Sequence, residues 1–312
     1  MQRVLPVILA LTLLALTLLA CRSPAPTPTA TATSASTAAP VRYFVGGDSR
    51  GDVAHVLPWA FHEAKARGVG AVIFLGDMEV SADLDDHFKG ALAELGPIPF
   101  YPVLGNHETT RRELTADLPR EERARALGVF RGRFLGTPQT RVTSAFDDKL
   151  TYALDLPGDV HFVALDNVSQ SGFGAEQLAW LAADLGRARA GGATKHLIIG
   201  MHKALAANGV TRHAMDEDGP QAVADSEAAL ALFEKSRVEL IFASHFHGFA
   251  EHASRGIRSF ITGGLGAPLD MKHGGGTAFH HFIVLEARGD APLAVQVVRF
   301  EGPPAVAHEH DQ

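Results

Sequence analysis

The chain has one cysteine, Cys21, in 312 residues, so no disulfide can close within it and its fold must stand on packing alone. It also lacks a basic excess. Its 28 lysines and arginines face 35 aspartates and glutamates, for a formal net charge of −7. That balance excludes charge-driven binding to nucleic acid or to an anionic membrane surface, and no nucleic acid is expected as a partner. Nor is there a hydrophobic run that spans a bilayer with comfort. The stretch Val4 to Ala20 is short and carries Pro6 and two threonines. What remains is a composition 46% hydrophobic, enough for the core of one large domain or two small ones.

Arg3 followed by the apolar stretch to Ala20 reads as an export signal over residues 1–20. Cys21 follows Leu18-Leu19-Ala20, an arrangement that resembles the bacterial lipobox, in which the signal is cut before a cysteine that then carries the lipid. An ordinary signal peptide with an incidental cysteine is the alternative. Between Arg22 and Pro40 lie four prolines among many Thr, Ala and Ser, a composition that cannot bury enough surface to fold. The expectation is an extracytoplasmic, bacterial membrane-anchored lipoprotein: signal 1–20, lipidated Cys21 and tether 21–40, folded domain 41–302, and a tail 303–312 in which His308 and His310 are solvated.

From Val41 onward short apolar runs alternate with helical spacing, the mark of an α/β protein. Strands are predicted at Val41 to Val45, Ala71 to Leu75, Ile98 to Leu104, Thr151 to Leu156, Val160 to Leu165, His196 to Gly200 and Val238 to Ala243. Three more fall at Ser259 to Thr262, Ala278 to Glu286 and Leu293 to Phe300, with the alternation of an antiparallel edge or second sheet. Helices are predicted at about Val53 to Arg67, Leu84 to Leu95, Glu121 to Phe134, Glu176 to Arg189 and Gln221 to Lys235. The arginine-rich stretch Thr109 to Lys149 reads as a surface excursion over the site.

Polar residues gather at the ends of the strands, where ligands of open α/β sheets bind. Asp48, Asp77, Asn106, His202, His245 and His247 each stand in a turn flanked by glycine or histidine. Carboxylate, amide oxygen and imidazole form a mixed O/N donor set that suits zinc, manganese or iron and not calcium. Two such ions about four ångströms apart are the usual arrangement for phosphoryl hydrolysis.

In this order the motifs resemble those of the calcineurin-like metallophosphoesterase superfamily: Asp48-Ser49-Arg50, Gly76-Asp77, Gly105-Asn106-His107-Glu108, His202 and Ser244-His245-Phe246-His247. The resemblance spans about Val41 to Phe300, and the purple acid phosphatase branch shares one of its departures. It implies a four-layer αββα sandwich with two mixed β-sheets, a turn near the site at Gly263 to Gly266, and one or two divalent or trivalent transition metal ions (manganese, zinc or iron). By the same resemblance Asp77 bridges the ions, Asn106, His202 and His245 hold the second, and Asp48 and His247 help hold the first. His107 matches the general acid or transition-state donor and Asn106 faces the substrate, while Arg50, a departure from the pattern, is a candidate catalytic and substrate-binding residue on its own chemistry. The activity implied is hydrolysis of phosphate mono- or diesters by attack of a metal-bound hydroxide.

Two departures from the family pattern bear on this. The usual Asp-x-His is Asp48-Ser49-Arg50, and a guanidinium has no lone pair for a metal. The tyrosine with which the purple acid phosphatase branch compensates is replaced by Val80, leaving Glu79, Asp52 or His55 as unassigned donors. The first ion is therefore expected to bind more weakly than the second. Two roles are open to Arg50: a fork onto the substrate phosphate, or a charge that occupies part of the first site and leaves a mononuclear centre. Lys203 stands where relatives have a second histidine, as a cation near the site or a solvated loop lysine. The alternative to the enzyme is a lipid-anchored binding protein with a degenerate, non-catalytic metal site.

Overall fold

The computed structural model describes residues 39–52, 55–78, 86–109, 119, 121–122, 124–125, 127–128, 149–168, 172–192, 194–210, 213–270 and 275–302. The predicted signal, Cys21 and most of the tether lie outside these residues, as do Glu79, Val80, the tail and most of the 121–134 helix. Among the described residues no helix is long and apolar enough to cross a membrane.

Two mixed sheets carry the domain. The first has the order β11-β10-β1-β2-β3, built from β1 (Val41–Gly46), β2 (Ala71–Phe74), β3 (Phe100–Pro102), β10 (His281–Arg288) and β11 (Ala291–Arg299). Strands β1, β2 and β3 are parallel, and β10 joins antiparallel to β1. The second sheet runs β4-β5-β6-β7-β9-β8, from β4 (Tyr152–Leu156), β5 (Val160–Ala164), β6 (His196–Gly200), β7 (Leu240–Ala243), β8 (Phe249–Ser254) and β9 (Ile257–Thr262). Its central pairs β5–β6, β6–β7 and β7–β9 are parallel, and β4 and β8 close the edges antiparallel.

Side chains of the second sheet show the layering directly. Phe162, Ile198, Phe242 and Phe260 enter the core shared with the first sheet, while their neighbours Val163, Ile199, Ile241 and Ile261 enter the opposite one. A strand with both faces buried has no polar alternation to show, which is why these segments read as continuous apolar runs. The outer core of that sheet is covered by helices α4 (Gly174–Ala190), through Leu181 and Leu185, and α5 (Pro220–Ser236), through Ala222, Ala229, Leu230 and Phe233. Helix α1 (Val56–Ala66) lays Leu57, Ala60, Phe61 and Ala64 into the core of the first sheet, a spacing of three and four that makes one stripe. Helix α2 (Asp86–Leu95) lies against α1. Layers of helix, sheet, sheet and helix follow in that order.

Several predicted bounds move for identifiable reasons. Helix α1 begins at Val56 because the Asp52 carboxylate accepts the Val56 and Leu57 N–H groups at 2.7 and 3.0 Å and so fixes its first turn. Strand β3 shrinks to three residues because Pro99 and Pro102 have no N–H to give a ladder; as the sheet's edge it tolerates them. Strand β8 was not predicted: its Phe-Ala-Glu-His-Ala-Ser sequence lacks a clean apolar alternation, and it forms as the edge partner of β9 across the Arg255-Gly256 turn, both at positive φ. Of the two alternatives for the C-terminal strands, β10 and β11 extend the first sheet, and β9 belongs to the second.

Candidate metal centre

The carboxyl ends of β1, β2, β6 and β7, with the turn after β3, deliver all six predicted donors to one place. Asp48 and Asp77 sit two and three residues past β1 and β2, both at positive φ, and both are buried. Asn106 opens the short helix α3 (Asn106–Thr109), His202 follows β6, and His245 and His247 follow β7.

Asp77 Oδ1, His202 Nε2 and the His245 ring converge, with 3.3 Å from His202 Nε2 to Asp77 Oδ1 and 3.1 Å to His245 Nδ1. Asn106 Oδ1 lies 2.9 Å from the same His202 nitrogen. His202 Nδ1 faces the Leu75 carbonyl at 2.8 Å, which can only accept, so this nitrogen carries a ring proton and Nε2 is the atom that would give its lone pair to a metal in place of its own proton. A second set follows the same pattern. His247 Nδ1 donates to the Pro268 carbonyl at 2.8 Å, which turns its Nε2 lone pair toward Asp48 Oδ1 at 3.4 Å. Asp48, Asp77 and His247, like Asp77, His202 and His245, can each bring one donor atom within 4.8 Å of the others.

These residues fit a transition metal on two grounds. Carboxylate, amide and imidazole donor atoms crowd together at one place, and Asp48 Oδ1 is buried with no hydrogen-bond partner while its Oδ2 accepts the His245 N–H at 2.9 Å. The charges agree. Burial alone would raise Asp77, but His202 first, then His107 and Arg50, hold it well below the usual carboxylate range. Burial opposes it, but Asp77, then Asp48 and the Leu75 carbonyl together raise His202 to about 9, and His245 is held well below the usual imidazole value by burial and then by His202 and His213.

Close backbone approach makes the convergence possible. A Cβ on Gly105 would lie 2.2 Å from the Asp77 nitrogen and 2.6 Å from Glu108 Oε2, and one on Gly76 would lie 2.6 Å from Gly105. Only glycine at both positions lets the ends of β2 and β3 meet. Glu108 then clamps them. Its Oε2 accepts the Gly105 and Asp77 N–H groups at 2.7 and 3.0 Å, and its Oε1 accepts that of Met78 at 2.8 Å. Burial, followed by Asp77, pushes its carboxyl up to about 7.

His107 and Arg50 line the open side of the cluster. The His107 N–H donates to Asp77 Oδ1 at 3.0 Å, and burial ahead of all else lowers its imidazole to about 4. Arg50 reaches across the second set: Nη1 is 2.5 Å from His107 Nε2, Nη2 is 3.3 Å from His247 Nε2, and Nε is 3.7 Å from Asp77 Oδ2.

Other sequence expectations are corrected or extended. Asp52 does not reach the cluster, because α1 takes both of its oxygens. Lys203 is not a solvated lysine: it is partly buried, and its Nζ donates to both oxygens of Asp218 at 2.6 and 2.7 Å. Ser244 donates its hydroxyl to the Leu75 carbonyl at 2.7 Å, the same oxygen that orients His202. His213, unassigned from the sequence, stacks on His245 with ring centroids 4.1 Å apart. Its only sequence signal is a histidine within the polar loop that follows His202. Gly263 to Gly266 does form a turn at the site, the Leu265 N–H donating to Gly47 O at 3.1 Å.

Comparison with solved structures returns the same architecture at low identity. A purple acid phosphatase from yellow lupin (Lupinus luteus) seeds superposes over 84% of this chain at 16% identity and a TM-score of 0.61. The match covers 52% of the lupin protein, so this chain spans about half its length. A dimetal phosphatase from Danio rerio matches over 82% of this chain and 98% of its own at 16% identity and a TM-score of 0.54. GAP50, the anchor in the inner membrane complex of Plasmodium, matches over 86% and 88% at 13% identity and a TM-score of 0.54. No curated protein sequence matches the chain significantly. The calcineurin-like phosphoesterase family model matches residues 47–249, the stretch that runs from the glycine before Asp48 to just past His247. With the sandwich, the strand-end donors and that match in agreement, the chain belongs to the calcineurin-like phosphoesterase family.

Proposed function

We propose that this protein is an exported, metal-dependent phosphoesterase acting on phosphate mono- or diesters. The observation that carries the reading is the convergence of Asp77, Asn106, His202 and His245 beneath an open side lined by His107 and Arg50. Asp77, Asn106, His202 and His245 would hold one ion, and Asp48, Asp77 and His247 offer donors for another. A bound transition metal supplies Lewis acidity toward a phosphoryl oxygen and lowers the pKa of water in its coordination sphere.

The remaining roles fall to the chain itself. Arg50 Nη1 lies 2.5 Å from His107 Nε2 and 3.3 Å from its Nδ1, so the guanidinium rests against the His107 ring. With its imidazole lowered to about 4, His107 is neutral near pH 7 and can give the oxygen of the departing alcohol a ring N–H hydrogen bond, the proton itself coming from solvent. The planar guanidinium of Arg50 provides parallel N–H donors suited to two oxygens of one phosphate, and Asn106 is the second residue expected to face the substrate. Glu108, by holding three backbone N–H groups, fixes where Asp77 and Gly105 stand.

The test is hydrolysis of p-nitrophenyl phosphate and bis-p-nitrophenyl phosphate by the metal-loaded protein. We expect turnover of at least one, abolished by chelation, and a fall in kcat of about 10²–10⁴-fold in His107→Ala at unchanged metal content. Absence of turnover with zinc, manganese and iron alike would favour a lipid-anchored binding protein with a degenerate site, a reading that the guanidinium lying across Asp77 and His247 supports.

A further inference from the structure

The six donors are arranged as though for two ions, yet Arg50 stands between the donors of one of them. We infer that the centre takes a single transition metal, held by Asp77, Asn106, His202 and His245, and that the Arg50 guanidinium serves as the fixed cation in the place of the other. This rests on the reading of the cluster as a metal site given above.

Three observations carry it. First, Arg50 engages the atoms that a second ion needs. Nη2 faces His247 Nε2 at 3.3 Å, and that nitrogen's lone pair is committed to this side because Nδ1 donates to Pro268. Nε lies 3.7 Å from Asp77 Oδ2, the carboxylate oxygen left over when Oδ1 turns to His202 and the His107 N–H. A guanidinium donates five N–H groups and offers no lone pair, so it competes with a metal for those atoms and cannot join it as a ligand.

Second, the backbone holds Arg50 in position. Ser49 N–H donates to Asp77 O at 3.0 Å and its hydroxyl to Met78 O at 3.2 Å; on the other side Asp52 N–H donates to Ser49 O at 2.9 Å while the Asp52 carboxylate is tied to α1. The loop that presents Arg50 is thus pinned at both ends, and the side chain is mostly buried. Third, charge favours one ion. Asp48 and Asp77 supply two negative charges; one divalent ion and Arg50 leave a single net positive charge to meet an anionic phosphate, whereas a second divalent ion raises that to three in a buried cluster.

The experiment is metal analysis of the full chain purified without chelator, with manganese titration followed by electron paramagnetic resonance. For wild type we expect about one ion per chain and the spectrum of an isolated Mn²⁺. Arg50→His and Arg50→Ala are expected to take a second ion, giving an exchange-coupled pair, with second-site affinity at least about tenfold above any in wild type. Melting curves check that both variants fold. Two ions and a coupled spectrum in wild type would overturn the inference and leave the phosphoesterase reading intact. A single ion in both folded variants would also overturn it, since Arg50 would not be what excludes the second. No ion in any of the three would overturn the metal reading itself.

Discussion

Glu108 is the best place to perturb the centre without touching a metal donor. Its two oxygens accept three backbone N–H groups, from Gly105, Asp77 and Met78, in a fully buried setting. In Glu108→Gln the amide oxygen can take the place of Oε2 and keep two of them. The –NH₂ then points at the Met78 N–H, donor against donor, whether the native carboxyl is ionised or protonated. One buried hydrogen bond is lost and one buried N–H is stranded, which costs about 2–3 kcal/mol. For a domain of this size that lowers the melting midpoint by roughly 5–10 °C. Because Asp77 is positioned through its own N–H to Glu108, metal affinity should also fall by about 10–100-fold. The assay is thermal melting by circular dichroism with and without added Mn²⁺, beside a Mn²⁺ titration of the folded variant. A midpoint within about 1 °C of wild type and an unchanged titration would refute the clamp.

Ser244→Ala removes the hydroxyl from Leu75 O but leaves His202 Nδ1 on the same carbonyl, so a loss of about 1 kcal/mol in denaturant melts with unchanged metal content is expected. His161 sits between Asp155 at 2.6 Å and Asp184 at 2.9 Å, and these carboxylates, Asp184 foremost, outweigh burial and raise its pKa. A raised folded pKa means the stabilisation is complete below the unfolded value of about 6.5 and is lost as pH climbs through the folded one. Melting midpoints should therefore fall across that alkaline side in wild type and fall less in His161→Gln. Lipidation at Cys21 predicts that Cys21→Ser moves the expressed protein from the detergent phase to the aqueous phase in a partition assay.

The sequence disclosed the donors far better than their neighbours, and the reason lies in the range of the contacts. A ligand at a strand end announces itself locally: an apolar run, a glycine, then Asp, Asn or His, as at Leu75-Gly76-Asp77 and Leu104-Gly105-Asn106. The parallel sheets then bring those ends together without further instruction, because βαβ connections place successive carboxyl ends on one side. What arranges the donors is not local at all. Ser244 meets Leu75 across 169 residues, Arg50 meets His247 across 197, and Glu108 meets Asp77 across 31. Nothing in the composition around Arg50 distinguishes a side chain forked onto substrate from one lying among the donors of a second ion. The distances bear on that choice: the guanidinium lies 3.3 Å from His247 Nε2 and 3.7 Å from Asp77 Oδ2, among atoms that a second ion would need. On the inference that Arg50 stands in for a second ion, the two roles weighed for it are compatible: a cation so placed can still turn its remaining N–H groups toward a phosphate.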